Sequence, residues 1–273
     1  GPGHGHRLSP SEAPDVLRSD TLGWVHLRAQ HPDTPGWIVE NLSYLDPTII
    51  DALVAEETRP RVTMVGKGLI VILRGINTIE GEDPEDMVSV RLWIDPHRIV
   101  SLSRRRVRAI EDIAECLAEG QGPRDSAEFL VALVERLTHR IETFWSGVDD
   151  EADDLEEAVL DTSVPEIRTQ LVELRRRAII LRRYLAPQRD ALRGLQGAHP
   201  AWLETDDLRQ RHASGPAPSP AGIPSRPAHP AEQDHPSPLI PHALVGVGPH
   251  RREIDSALPL AAEGAGDGIE PAR

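Results

Sequence analysis

Seven carboxylates fall within nine residues of this chain, in DDEADDLEE at 149–157: Asp149, Asp150, Glu151, Asp153, Asp154, Glu156 and Glu157. Carboxylate oxygens suit hard divalent cations. Like charges packed this densely repel one another at neutral pH, so the block belongs on a wet surface. In a single copy it is a solvated face. Several copies gathered around one axis would focus their field and concentrate cations. A second acidic stretch, GEDPED at 81–86, has four acids but lacks the alternating ligands of a calcium loop, so a solvated loop is expected. GHGH at 3–6 offers at most a weak metal contact within a flexible leader. His229, His235, His242 and His250, with His212 before them, are too widely spaced for a preorganised site. Arg104, Arg105, Arg106 and Arg108 form a basic cluster, and in a chain of net charge −14 they are expected to pair with neighbouring acids.

Several chemistries are missing. No G-x-S-x-G elbow, P-loop, G-x-G-x-x-G or H-E-x-x-H occurs, so an enzyme is not expected. The single cysteine, Cys116, excludes an internal disulfide framework and a cysteine-based zinc finger, and fits a reducing compartment. The acidic balance argues against a broad nucleic-acid footprint and against docking on anionic lipid. GPGHGHRLSP at the start has no apolar signal region. The longest apolar run, GLIVIL at 68–73, is far below the roughly eighteen residues of a membrane span. As written, the chain reads as cytoplasmic and soluble.

The elements that position these groups divide into four regions. Residues 1–20, rich in Gly, His, Pro and Ser, read as a flexible leader, in part an expression scar. Residues 21–125 carry a sheet domain. Trp24, His26 and Arg28 alternate with Val25, Leu27 and Ala29, the period of a half-buried strand. Trp37–Leu42 fits a short strand or a helix start. Asp46-Pro47 predicts a cap and first helical residue, with the helix ending near Thr58 because Pro60 follows. Four apolar runs, Arg61–Val65, Leu69–Ile76, Met87–Asp95 and Arg98–Ser103, are spaced for antiparallel hairpins. Ala109–Ala118 is the last predicted helix of this region.

Residues 126–212 read as helical. Leu130, Leu133, Val134, Leu137, Ile141 and Phe144 stripe a helix over Ser126–Trp145, and a short helix is expected over 155–163. From Pro165 to Leu195, apolar or small residues recur at Ile167, Leu171, Leu174, Ala178, Leu181, Leu185, Leu192 and Leu195. Gln188 stands where one seam position would be, and six arginines lie between Arg168 and Arg183. Pro187 predicts a kink. A helix of about thirty residues spans roughly 45 Å, enough to lead to a partner subunit or another domain. HPAWLETDDLRQ at 199–210 also has a helical look, with Glu204, Asp206 and Asp207 near its start. Residues 213–273 hold twelve of the twenty-five prolines and no aromatic residue, and read as a disordered Pro/Ala-rich tail.

ALVAEETRPR (52–61), GLIVILRGIN (68–77), PEDMVSVRLWID (84–95) and LRRYLAPQRDAL (181–192), in this order, resemble the cytoplasmic domain of CorA-type divalent-cation transporters. They are more similar still to the zinc-transporting ZntB branch. The likeness covers about residues 21–211. It implies an α+β fold, an α/β/α cytoplasmic domain with a mainly antiparallel sheet, followed by long helices at the start of a stalk. It also implies a funnel-shaped homopentamer in the bacterial inner membrane that moves zinc or other divalent cations, coupled to the proton gradient. The ion is cargo or regulator, and no cofactor is implied. Two transmembrane helices and a Gly-x-Asn signature should follow the stalk. No metal ligand of the family maps onto a residue here. The competing expectation is a soluble protein that uses the 167–195 seam to bind a partner helix, with no transport role.

The departure begins at His212, after which the Pro/Ala-rich tail stands where the stalk and membrane helices belong. Gly75-Ile76-Asn77 matches the signature in letters only, at the end of a strand. The tail is expected to be an out-of-frame translation, with natural truncation or a designed soluble piece as alternatives. Sequencing the gene through codon 212 should reveal, in another frame, two runs of about twenty apolar residues with Gly-x-Asn closing the first. Their absence from every frame removes the frameshift explanation.

Overall fold

A computed structural model describes residues 3–9, 11–56, 58–158, 164–197, 200–203 and 242–246. The chain runs β1 (Gly5–Leu8), α1 (Ala13–Arg18), β2 (Gly23–Arg28), α2 (Thr34–Asn41) and α3 (Pro47–Val54). Then come β3 (Arg61–Val65), β4 (Gly68–Gly75), β5 (Val88–Ile94) and β6 (Arg98–Ser103). Helices α4 (Arg108–Ala118), α5 (Ser126–Ala158) and α6 (Val164–Gly197) follow, then a 3-10 turn at Ala201–Leu203 and β7 (His242–Gly246). One seven-stranded sheet has the order β1-β7-β2-β6-β5-β4-β3. Only β2 and β6 pair in parallel; the other pairings are antiparallel.

The central strands β4 and β5 are buried on both faces and mostly apolar, because both faces are covered. Leu69, Val71 and Leu73 point to one side, where they join Ile110, Ile113, Leu130, Leu133 and Leu137 of α4 and α5. Ile70 and Ile72 point to the other, against Leu17, Ile38, Leu42, Ile49 and Leu53 of the α1–α3 layer. This is the expected α/β/α sandwich. Gly66 in the β3–β4 turn sits at φ +58°, a conformation that glycine adopts without steric cost. At Gly68 a Cβ would come within 2.4 Å of the Trp93 ring, so the hairpin needs a glycine there for a different reason.

Helix α3 starts as the sequence predicts: the Asp46 carboxylate accepts from the Thr48 backbone N–H at 2.8 Å, and Pro47 opens the helix. It ends at Val54 rather than near Thr58. Arg91, a residue 1% exposed on β5, takes one carbonyl of the helix's last turn, donating to Leu53 O at 3.0 Å, and a second just past the helix end, Glu56 O at 3.4 Å. Desolvation, then repulsion from Arg104 and Arg74, lowers the Arg91 pKa to about 10. Of Trp37–Leu42, Trp37–Asn41 is helical as the end of α2, and Leu42 caps it.

Two expected disordered regions contain structure. Within residues 1–20, β1 pairs with β7 and α1 buries Ala13 and Leu17. Within 213–273, His242–Gly246 lie between β1 and β2. Neither short strand carries a readable period, because each is defined by a partner at the opposite end of the chain. The rest of the 213–273 stretch lies outside the described residues, as do Glu204, Asp206 and Asp207.

Helix α5 runs without a break from the striped segment through the acidic block, instead of stopping at Trp145. Helix α6 returns antiparallel along it. Leu155 and Val148 cluster with Ile167 and Leu174, and Ile141 packs with Leu181 and Met87. The length of α6, about 50 Å at 1.5 Å per residue, is therefore spent beside α5 and along the sheet edge. The helix continues through Pro187 to Gly197.

The expected gap in the seam at Gln188 is a junction. Gln188 is 5% exposed, and its Oε1 accepts from Arg74 N at 2.6 Å while its Nε2 donates to Arg74 O at 3.2 Å. Pairing of β3 with β4 ends at Arg61↔Ile72, and Pro60 before it has no N–H to offer. Continued in the same register, β3 would set Arg59 opposite Arg74, and the Gln188 side-chain amide stands in for that residue's peptide groups. Gln188→Leu, which would complete the apolar seam, should leave both Arg74 groups unpaired and lower unfolding stability by about 1–3 kcal/mol in urea titrations. Leu181→Ala, which empties a fully buried position between Met87 and Ile141, should cost about 2–5 kcal/mol by the same measurement.

Candidate functional site

The last turns of α5 carry the acidic block. Leu155 is buried and Ala152 partly so, packed toward α6, and this fixes the direction of the other residues. Asp149, Asp150, Asp153, Asp154, Glu156 and Glu157 are all exposed. Residues three and four apart on a helix are neighbours, so these acids sit beside one another along the outward face. They also lie at a helix C-terminus, where the backbone dipole is already negative and disfavours anions. Each contribution has the same sign, and mobile cations are what offsets them.

Glu151 differs from the other six. It is half-buried and ion-paired with Arg177 of α6, which holds the Arg177 pKa above its ordinary value through that hydrogen bond. One acid of the block therefore ties the hairpin together and six face solvent. Among the described residues no group of three or more His, Cys, Asp or Glu is placed to hold a metal ion. The rings of His4 and His6 lie 6.0 Å apart, edge to face.

The GEDPED loop is not simply solvated. Glu85 is 2% exposed and pairs with Arg176 of α6 at 2.8 Å. Arg176 also meets Glu173 at 2.7 Å and Asp83 at 3.9 Å. Its hydrogen bond to Glu173 raises the arginine pKa and lowers that of the carboxylate. In the sequence a turn-rich acidic stretch looks like surface, since the arginine that draws Glu85 inward stands some ninety positions later. The arginine cluster behaves as expected: Arg105 pairs with Glu82, Arg106 and Arg108 with Glu111, and Arg104 approaches Glu56 at 4.0 Å.

No helix among the described residues is long and apolar enough to cross a membrane. A family model, described as CorA-like Mg2+ transporter protein, matches residues 19–214. The chain is 38% identical over 204 residues to the zinc transport protein ZntB of Klebsiella pneumoniae subsp. pneumoniae, covering 75% of this chain and 62% of that protein. The solved full-length CmaX protein is 38% identical, with a TM-score of 0.64 over 70% of this chain and 58% of its own. The ZntB cytoplasmic domain of Vibrio parahaemolyticus is 27% identical, with a TM-score of 0.61 over 70% of this chain and 75% of that domain. This chain thus spans about three fifths of the full-length relatives it matches. The matched region holds β2 to α6, with five of the seven strands and the hairpin that carries the acids, and the chain belongs to the CorA-like family of divalent-cation transporters.

Proposed function

We propose that this chain is the cytoplasmic portion of a zinc or other divalent-cation transporter of the ZntB kind. In this reading it carries no catalytic chemistry, and works as a homo-oligomer, a pentamer, on the cytoplasmic side of the bacterial inner membrane. Contact with the membrane is made through transmembrane helices, which none of the described residues forms. Zinc or a related divalent ion is cargo or regulator, and no nucleic acid is involved.

The observation that carries the reading is the outward row of six carboxylates at the end of α5, unneutralised by α6. Repeated around a symmetry axis, six acids per subunit make a zone of negative potential that raises the local concentration of cations before any is bound. The identity to a zinc transport protein supports zinc as the ion. Such a field acts between exposed charges, so its effect fades above about 0.1 M salt, where the screening length is about 10 Å. A second reading, a helix-mediated interaction protein without transport, is supported by the open groove between α5 and α6.

Sedimentation of the full chain over a range of zinc concentrations separates the two. Zinc should shift the association state, with magnesium as the comparison ion. Replacing Asp149, Asp150, Asp153 and Asp154 together by Asn should raise the zinc needed by about tenfold and flatten its salt dependence. Glu151→Gln should act differently, loosening the hairpin with little change in the zinc response. One species indifferent to zinc at all concentrations sinks the transport reading.

A further inference from the structure

The GHGH stretch, expected within a flexible leader, is built into the sheet. His6 stands opposite Val245 of β7, and Gly5 opposite Gly246. Just before them Gly3 turns the chain at φ +84°, and its carbonyl accepts from the Gly122 N–H at 2.8 Å. Gly3 and Gly5 are buried, while His4 and His6, two residues apart and so on the other face, are exposed. The strand holds two imidazoles side by side, their ring centres 6.0 Å apart.

The surroundings favour a cation beside these rings. Helix α4 ends next to them, at Gly120, and a helix C-terminus is the negative end of its dipole. Glu115 in the last turn of α4 and Glu119 at its cap are both exposed and add charge of the same sign. A Cβ on Gly120 would stand 3.3 Å from His4 Nδ1, so a glycine there keeps the approach to that nitrogen clear. Arg7, the nearest cation in sequence, falls on the opposite face of β1 by strand alternation.

We propose that His4 and His6 form a two-imidazole site for a transition-metal dication, zinc or copper(II), with solvent oxygens completing the coordination. Imidazole nitrogen suits these ions, whereas magnesium and calcium take oxygen ligands. With metal–nitrogen bonds of about 2.0–2.1 Å, two imidazoles on one tetrahedral ion bring their ring centres to about 5 Å. Closing from 6.0 Å takes only rotation of two exposed side chains. Two protein ligands are fewer than the three-group clusters that are absent among the described residues, so the ion is exchangeable. The site is independent of the transport reading: it needs neither the acidic block nor any association of chains.

The test titrates the full chain with copper(II), which binds nitrogen ligands more tightly than zinc does. Pulsed EPR reads the result, because its nitrogen modulation counts the imidazoles bound. One ion on two imidazoles is expected, half-saturated below about 100 µM. His4→Gln and His6→Gln should each weaken binding by about tenfold and leave a one-imidazole spectrum, with the urea midpoint unchanged because both positions are exposed. The double variant should lose the signal. Val245→Pro, which removes an N–H from the strand opposite His6, should weaken copper by about fivefold, since the strand then no longer aligns the rings. A two-imidazole spectrum that persists in the double variant places the ion on other histidines and overturns the proposal. Equal binding by Val245→Pro overturns a site built by the strand. So does displacement of the copper by about a hundredfold excess of magnesium, which would assign the ion to carboxylates.

Discussion

One pair of hydrogen bonds sets the register of α6 on the sheet, beside the packing of Leu181 on Met87 and the ion pair of Arg176 with Glu85. β3 stops at Arg61, and beyond it the Arg74 N–H and C=O face a part-buried edge of the sheet. Buried peptide groups of that kind must be paired. Gln188 pairs both at once. Its backbone position on α6 is thereby fixed relative to β4, and the positions of Leu181, Leu174 and Ile167 follow by helical geometry. The same residue region holds Arg74 from a second side: the Arg74 guanidinium lies 4.2 Å from the Tyr184 ring centre and donates to Met87 O and Thr58 O.

With α6 so placed, the hairpin with α5 has little freedom. Arg176 reaches down to Glu85 in the β4–β5 loop, and Arg177 reaches across to Glu151. Two consecutive arginines thus connect α6 to the sheet domain and to the acidic helix. The other six acids of the block are exposed. Their exposure is a by-product of which face of α5 the apolar residues Val148, Ala152 and Leu155 commit to the pairing.

Much of this architecture can be read from local sequence. The runs Arg61–Val65 and Arg98–Ser103 are strands with the same ends in the structure, and Asp46-Pro47 caps α3 as its chemistry requires. Both depend on residues a few positions apart. What escaped depends on distant ones. Gln188 looked like a flaw in the seam because its partner is Arg74, and Glu85 looked like surface because its partner is Arg176. Strands β1 and β7 need each other, from opposite ends of the chain. The acidic block itself was legible as a charged surface, but its continuity with α5 was not, because a run of like charge hides the helical period that Val148, Ala152 and Leu155 carry through it.

The distribution of charge along the hairpin has a consequence that the net value of −14 conceals. Acids crowd its far end, while arginines line its flank nearer the sheet, and Arg91 adds a cation inside the domain. Charges of opposite sign held apart by a rigid pair of helices make a permanent electric dipole. In the field of a charged neighbour such a molecule experiences a torque as well as a force. Encounters are then biased in angle before contact, so the hairpin sets which end of the protein arrives first.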